Sequence, residues 1–290
     1  MQLEGAAQPP REGGSLLGFV TERYDRRSLV ALAVLVLTGA AVGYRWSDLI
    51  DVDGGMDWLL AGIWLWMAAL LTWNVRPRRD LVVLAVGLGG VGFIEWWGTQ
   101  TQLWHYFTAE RPPLWILPAW PVAALSIDRL AHFLDLARGR AEVLRPVPSS
   151  FYRVAYWLLL PGYMLWMFAF MGPTWNTTAS RVVGVLMLAV VLRSKHHRRD
   201  VVMFAAGSLL GFFLEYWGTS RECWTYYTAQ VPPAVAVFAH GFAAVVFARC
   251  TDVGMALVEG LNRQAGRRVG FLGSSGGRRL AANPEAAPPE

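Results

Sequence analysis

The chain has 290 residues, 54% of them hydrophobic and only 16% charged, against roughly 25% charged in an ordinary soluble protein. That balance argues against a soluble fold, and because the apolar residues gather in long blocks, membrane spans are the units to count. Lys and Arg exceed Asp and Glu by five, but they lie in short stretches between the apolar blocks, as the positive-inside rule places them, which speaks against a nucleic-acid partner.

Eight apolar blocks are long enough, or nearly so, for the roughly 20 helical residues that a hydrocarbon core requires. They lie at about 28–46, 56–74, 81–98, 113–135, 151–171, 177–193, 201–218 and 232–258. The expected fold is all-α: a polytopic membrane protein with eight transmembrane helices. The polar stretch before the first block is about as long as a whole signal peptide, which favours a span over a secretory signal. Arg23, Arg26 and Arg27, then Arg76, Arg78 and Arg79, then Arg138, Arg140 and Arg145, then Arg193, Lys195, Arg198 and Arg199 mark alternate loops as cytoplasmic. The loops between them carry Asp48, Asp51 and Asp53, or are near neutral and aromatic. Both termini are expected in the cytoplasm, and the membrane is expected to be a bacterial-type inner membrane. Cys223 and Cys250 form no disulfide framework or zinc spacing.

Set against itself with an offset of 120 residues, the chain matches Arg78-Arg79-Asp80 with Arg198-Arg199-Asp200 and Glu95 with Glu215. The match continues through Trp97-Gly98-Thr99 with Trp217-Gly218-Thr219, Trp104 with Trp224, Tyr106 with Tyr226, Pro112-Pro113 with Pro232-Pro233, and Arg129 with Arg249. Spacing kept across loops and blocks alike indicates an internal duplication. With four spans in each copy the repeat is parallel, and a shared site between the halves is the natural place for function. The expected organisation is a polar arm over 1–27, a first four-helix copy over 28–137 and a cytoplasmic linker over 138–150. A second copy over 151–260 and a disordered basic tail over 261–290 complete it.

Glu95 and Glu215 stand near the outer ends of their spans, about 15 residues or roughly 22 Å past the Asp that opens each. Membrane carboxyls usually face the bundle interior. There, desolvation and mutual repulsion would favour a protonated form, an acid in an apolar pocket. The competing reading is that each Glu accepts hydrogen bonds from its own loop and holds its half together. Around them cluster Trp96, Trp97, Trp104 and Tyr106, then Tyr216, Trp217, Trp224 and Tyr226. These are either an interfacial belt or π-faces suited to a carbocation or a flat apolar ligand. Arg181, which faces Ala61 across the offset, either snorkels to the outer interface or pairs with a Glu. Arg129 and Arg249 read as cytoplasmic anchors. The five histidines form no ligand set, so no metal or cofactor is expected.

The run Gly92-Phe-Ile-Glu95-Trp-Trp-Gly98, followed by Thr101, Trp104, Tyr106, Thr108, Pro112-Pro113 and Pro118-Ala-Trp120, resembles the integral-membrane carotenoid biosynthesis proteins that include carotenoid hydratases. The resemblance implies an acid that protonates an isoprenoid double bond, with water or an internal alkene trapping the cation. It carries over to Glu95, Gly98, Thr101, Tyr106 and Trp120, and to Glu215, Gly218 and Tyr226; the second copy has Arg221 for Thr101 and His240 for Trp120. The expected function is acid catalysis on a membrane lipid or isoprenoid. The alternative is a non-catalytic lipid or solute transporter, or an assembly factor. The sequence leaves the oligomeric state open.

Overall fold

A computed structural model describes residues 22, 24–45, 47, 57–114, 116, 117, 119–142, 147–194 and 196–277, with 42, 138–142 and 264–277 as backbone only. Among these residues the chain is all-α apart from two three-residue strands. The helices are α1 (Arg26–Arg45), α2 (Asp57–Thr72), α3 (Pro77–Gln100), α4 (Ala119–Glu142), α5 (Ser149–Phe170), α6 (Thr178–Leu192), α7 (His197–Ser220) and α8 (Ala234–Gly277). Strand β1 (Trp104–Tyr106) lies between α3 and α4, and β2 (Trp224–Tyr226) between α7 and α8. Each helix falls on one of the eight apolar blocks. Four of them are long and apolar enough to cross a membrane: α1, α3, α7 and the Ala234–Arg263 stretch of α8. Helices α2 and α6 are apolar but shorter.

The local chemistry sets several boundaries. Pro77 supplies a preformed φ and no surplus donor at the first turn of α3. The Asp25 carboxylate accepts the Ser28 N–H at 2.8 Å and starts α1. The Thr177 hydroxyl accepts the Ser180 N–H at 3.2 Å and starts α6. Two of the expected segments carry helix. Helix α4 runs to Glu142 and α5 starts at Ser149, so much of the expected 138–150 linker is helical. Helix α8 continues to Gly277, past the expected start of a disordered tail at 261. The arm before residue 22, the loop acids Asp48, Asp51 and Asp53, and Arg23, Arg145, Lys195 and residues 278–290 lie outside the described residues.

Four helices form the centre. Helix α3 packs on α4 and α8, and α7 packs on α8 and α4, so the two halves engage through equivalent pairs. The closest crossing is α7 on α8. A Cβ at Gly207 would meet the His240 carbonyl at 2.5 Å. Only glycine lets the two backbones approach that closely, and this approach presents both Glu215 and His240 to the interior. Helix α5 packs on α7 and α8, whereas the main partner of its counterpart α1 among the described residues is α2.

At the end of the bundle opposite the glutamates, Asp80 pairs with Arg129 at 2.5 Å and Asp200 with Arg249 at 2.6 Å. Arg129, read from the sequence as a cytoplasmic anchor, is fully buried. Its guanidinium is held inside by Asp80 and, at 3.4 Å, by Asp128.

Candidate functional site

Helix α3 carries Glu95 to within a turn and a half of its C-terminus, where the chain turns back through β1 and lays an indole across the helix. The reversal requires left-handed backbone at Gln102 (φ 62°), and the second half repeats it at Glu222 (φ 55°). A Cβ at Gly98 would lie 1.9 Å from the Trp104 ring, and one at Gly218 would lie 1.9 Å from the Trp224 ring. Glycine at these positions is what admits each tryptophan to its carboxylate.

Every oxygen of the two carboxyls is engaged. Glu95 Oε2 accepts the Trp104 indole N–H at 3.0 Å and the Tyr106 hydroxyl at 2.9 Å, and Oε1 accepts the Trp120 N–H at 3.1 Å. Glu215 Oε2 accepts the Trp224 N–H at 3.0 Å, the Tyr226 hydroxyl stands 2.9 Å from both oxygens, and His240 Nε2 stands 3.0 Å from Oε1. The equivalent positions 120 and 240 therefore do the same job with different chemistry. Indole is a donor only, while imidazole exchanges its proton. The two rings also stack on one another, with centroids 5.0 Å apart and planes 9° from parallel.

The halves are sewn together directly above this layer. Strands β1 and β2 pair antiparallel, with Trp104 opposite Tyr226, His105 opposite Thr225 and Tyr106 opposite Trp224. The Tyr227 N–H donates to the Leu103 carbonyl at 3.0 Å, and the Phe107 N–H to the Cys223 carbonyl at 3.2 Å. Burial pushes the Cys223 thiol in this joint above its ordinary range.

Both carboxyls line one cavity of about 910 Å³, which lies within the range of small-molecule sites. Its walls are almost wholly apolar, with Met67, Tyr163, Phe170, Met187 and Phe242 among them, and it extends along α8 from Ala236 to Cys250. That is about 20 Å of helix. Of the sequence-predicted site residues, the cavity brings together Glu95, Glu215, Trp97, Trp104, Tyr106, Trp224 and Tyr226. Trp97 donates to the Ser180 hydroxyl at 3.0 Å. Trp96 and Tyr216 point outward, 44% and 42% exposed, and Trp217 is half-buried away from the cavity. Arg181 pairs with neither glutamate: its guanidinium donates to the carbonyls of Trp175 and Asn176, both at 3.0 Å. Arg221 is drawn off to Asp57 at 2.7 Å.

In the sequence Trp120 stands out only through the resemblance, whereas His240 stands out both as a departure from it and, with His105, as a histidine near the glutamate region. The signal for both is their common spacing of 25 residues after each glutamate. Among the described residues no three His, Cys, Asp or Glu side chains gather as a metal site. Compared with protein-family models, with curated proteins and with solved structures, the chain matches none of them.

Proposed function

We propose that the chain is an eight-span inner-membrane protein with both termini cytoplasmic, built of two parallel four-helix copies, and that it acts on an isoprenoid or another long apolar lipid. The observation that carries this reading is two carboxyls lining one apolar, aromatic cavity. Large apolar side chains are exposed along most helices, as with Leu37, Leu81, Leu158 and Leu257 at 64–69%, and they suit acyl chains rather than water.

The chemistry proposed is proton transfer to a carbon–carbon double bond. Glu95 receives two donor-only indoles, which suit an ionised carboxylate. Glu215 shares its Oε1 with His240, so the exchangeable proton belongs to the Glu215–His240 pair. Transfer of that proton to an alkene carbon leaves a cation on the neighbouring carbon. The faces of Trp104, Tyr106, Trp224 and Tyr226 and the Glu95 charge stabilise it, each ring by about 2 kcal/mol when water is excluded. Water or an internal alkene then traps the cation and the proton returns to the pair. General acid catalysis of this kind is worth about 10²–10⁴-fold, and it follows the carotenoid-hydratase resemblance of the Glu95 and Glu215 segments.

A second reading is favoured by the complete hydrogen bonding of both carboxyls: a clasp that closes the halves around a carried lipid, without chemistry. Lipid extracts from cells making no protein, wild type, Glu95→Gln and Glu215→Gln separate the two. The enzymatic reading expects a lipid or pigment species that appears with wild type and is lost with Glu215→Gln while the protein still accumulates. Identical extracts with and without the protein sink it and leave the clasp.

A further inference from the structure

We infer that a second cavity, at the arginine-rich end of the bundle, binds a phosphate-bearing ligand. This cavity measures about 730 Å³ and is lined by Arg76, Arg79, Arg153, Arg198 and Arg199. Among the described residues, only Asp128, Asp135 and Asp252 oppose them on its walls, with His132, His196 and His197 beside them.

The aspartates are already committed. Asp128 accepts Arg79 at 2.6 Å and Arg76 at 3.1 Å, with Arg129 at 3.4 Å behind it. Asp252 is held through both oxygens by Arg199, and Asp135 accepts Arg198 at 2.8 Å where both side chains are about half exposed. Arg153 is exposed and has no partner among the described residues. Five guanidiniums against three carboxylates leave a surplus of two positive charges inside one concavity, and the planar guanidinium fork matches phosphate oxygens in pairs.

Backbone adds to the same field. Arg76, Ser149 and His197, at the starts of α3, α5 and α7, all line the cavity. None of these helix starts has a side-chain cap from its N-cap residue; Asp80 and Asp200 offset the dipoles of α3 and α7 in their first turns, and the start of α5, with no acid in its first turn, adds a positive dipole end to the cavity.

The position distinguishes this site from the glutamate cavity. Arg199 and Glu215 lie 16 residues apart on α7, or about 24 Å. The arginines thus stand near headgroup depth when the glutamates stand near the opposite interface. The ligand chemistry is a phosphate ester, either a lipid headgroup or a soluble phosphate.

The test uses the purified full chain in a neutral maltoside detergent. Native mass spectrometry with equal phosphatidylglycerol and a neutral glycolipid should show about tenfold preferential retention of phosphatidylglycerol, the worth of one or two charge-assisted contacts. The double variant Arg153→Gln, Arg198→Gln should lose that preference. Arg181→Gln, at the other end, should keep it. Both substituted side chains are solvent-exposed, and circular dichroism checks that the variant is folded. A parallel thermal scan with inorganic pyrophosphate separates the sources: a shift there without lipid preference assigns a soluble phosphate, and lipid preference assigns a headgroup. No response in either arm, or a double variant that behaves like wild type, overturns the site.

Discussion

Trp104 and Trp224 reach their carboxylates across the faces of their own helices, and a single methyl group is enough to stop them. Gly98→Ala or Gly218→Ala places a Cβ where the indole lies, so the ring must leave and a carboxyl oxygen loses one of its two donors. The expected cost is about 1–3 kcal/mol in thermal unfolding in detergent, with a red shift of tryptophan emission as the ring is released. Replacing His240 should act differently. His240→Gln keeps a hydrogen bond to Glu215 but removes the exchangeable proton, so any lipid product should fall about 10²–10⁴-fold with little change in stability. An equal fall in Trp120→Phe would remove the distinction between the two positions. At this scale the glutamates and four of their aromatic partners were legible, because the 120-residue offset preserves them. The outward turn of Trp96 and Tyr216 was not legible, since residues adjacent on a helix differ by about 100° in direction and the sequence does not say which of them faces in.

Among the elements, the helices were read well and the strands not at all. An apolar block declares itself by composition, whereas three residues of strand pairing with a partner 120 positions away leave no periodic trace. Pairing is nonetheless what joins the loops. The bonded pairs Leu103–Tyr227 and Phe107–Cys223 place His105–Thr225 between them as a bonded pair as well. Thr225→Pro, which removes the central donor, should lower stability by about 1–3 kcal/mol, while Thr225→Val should be tolerated; both are measured by thermal unfolding. At the other extreme is α1, whose main packing among the described residues is on α2. Its start depends on Asp25, whose carboxylate the Ser28 N–H holds below the ordinary range. A depressed carboxyl contributes above its unfolded pKa and is lost as pH falls through the lower folded value. Protection of the α1 start against hydrogen exchange, taken relative to the intrinsic rate at each pH, should therefore fall on acidification below about pH 4, and Asp25→Asn should flatten that dependence.

For the whole molecule, the alternation of Arg-rich and near-neutral loops yields a definite topology to test. Fusions of alkaline phosphatase after Gln230 should be active, and fusions to green fluorescent protein at the C-terminus fluorescent; the reverse pattern would invert the orientation. The buried ion layer tests the packing. Arg129→Met leaves Asp80 uncompensated inside the bundle and should cost about 3–5 kcal/mol, more than Arg249→Met, whose guanidinium is partly exposed. Composition pointed to charged residues at the inner ends of the spans but not to their burial, which arises only when helices from both halves close over them.

The strand joint has one further property. Residue 104 pairs with 226, 105 with 225 and 106 with 224, so each position meets the counterpart of its mirror image about position 105. A two-fold axis passes through the His105–Thr225 pair, and the same joint would close between two separate chains that each carried one half. A gene of half this length could thus have built the cavity as a symmetric homodimer. In such a homodimer positions 120 and 240 would hold the same residue; in this single chain one is tryptophan and the other histidine, a difference that identical subunits cannot have.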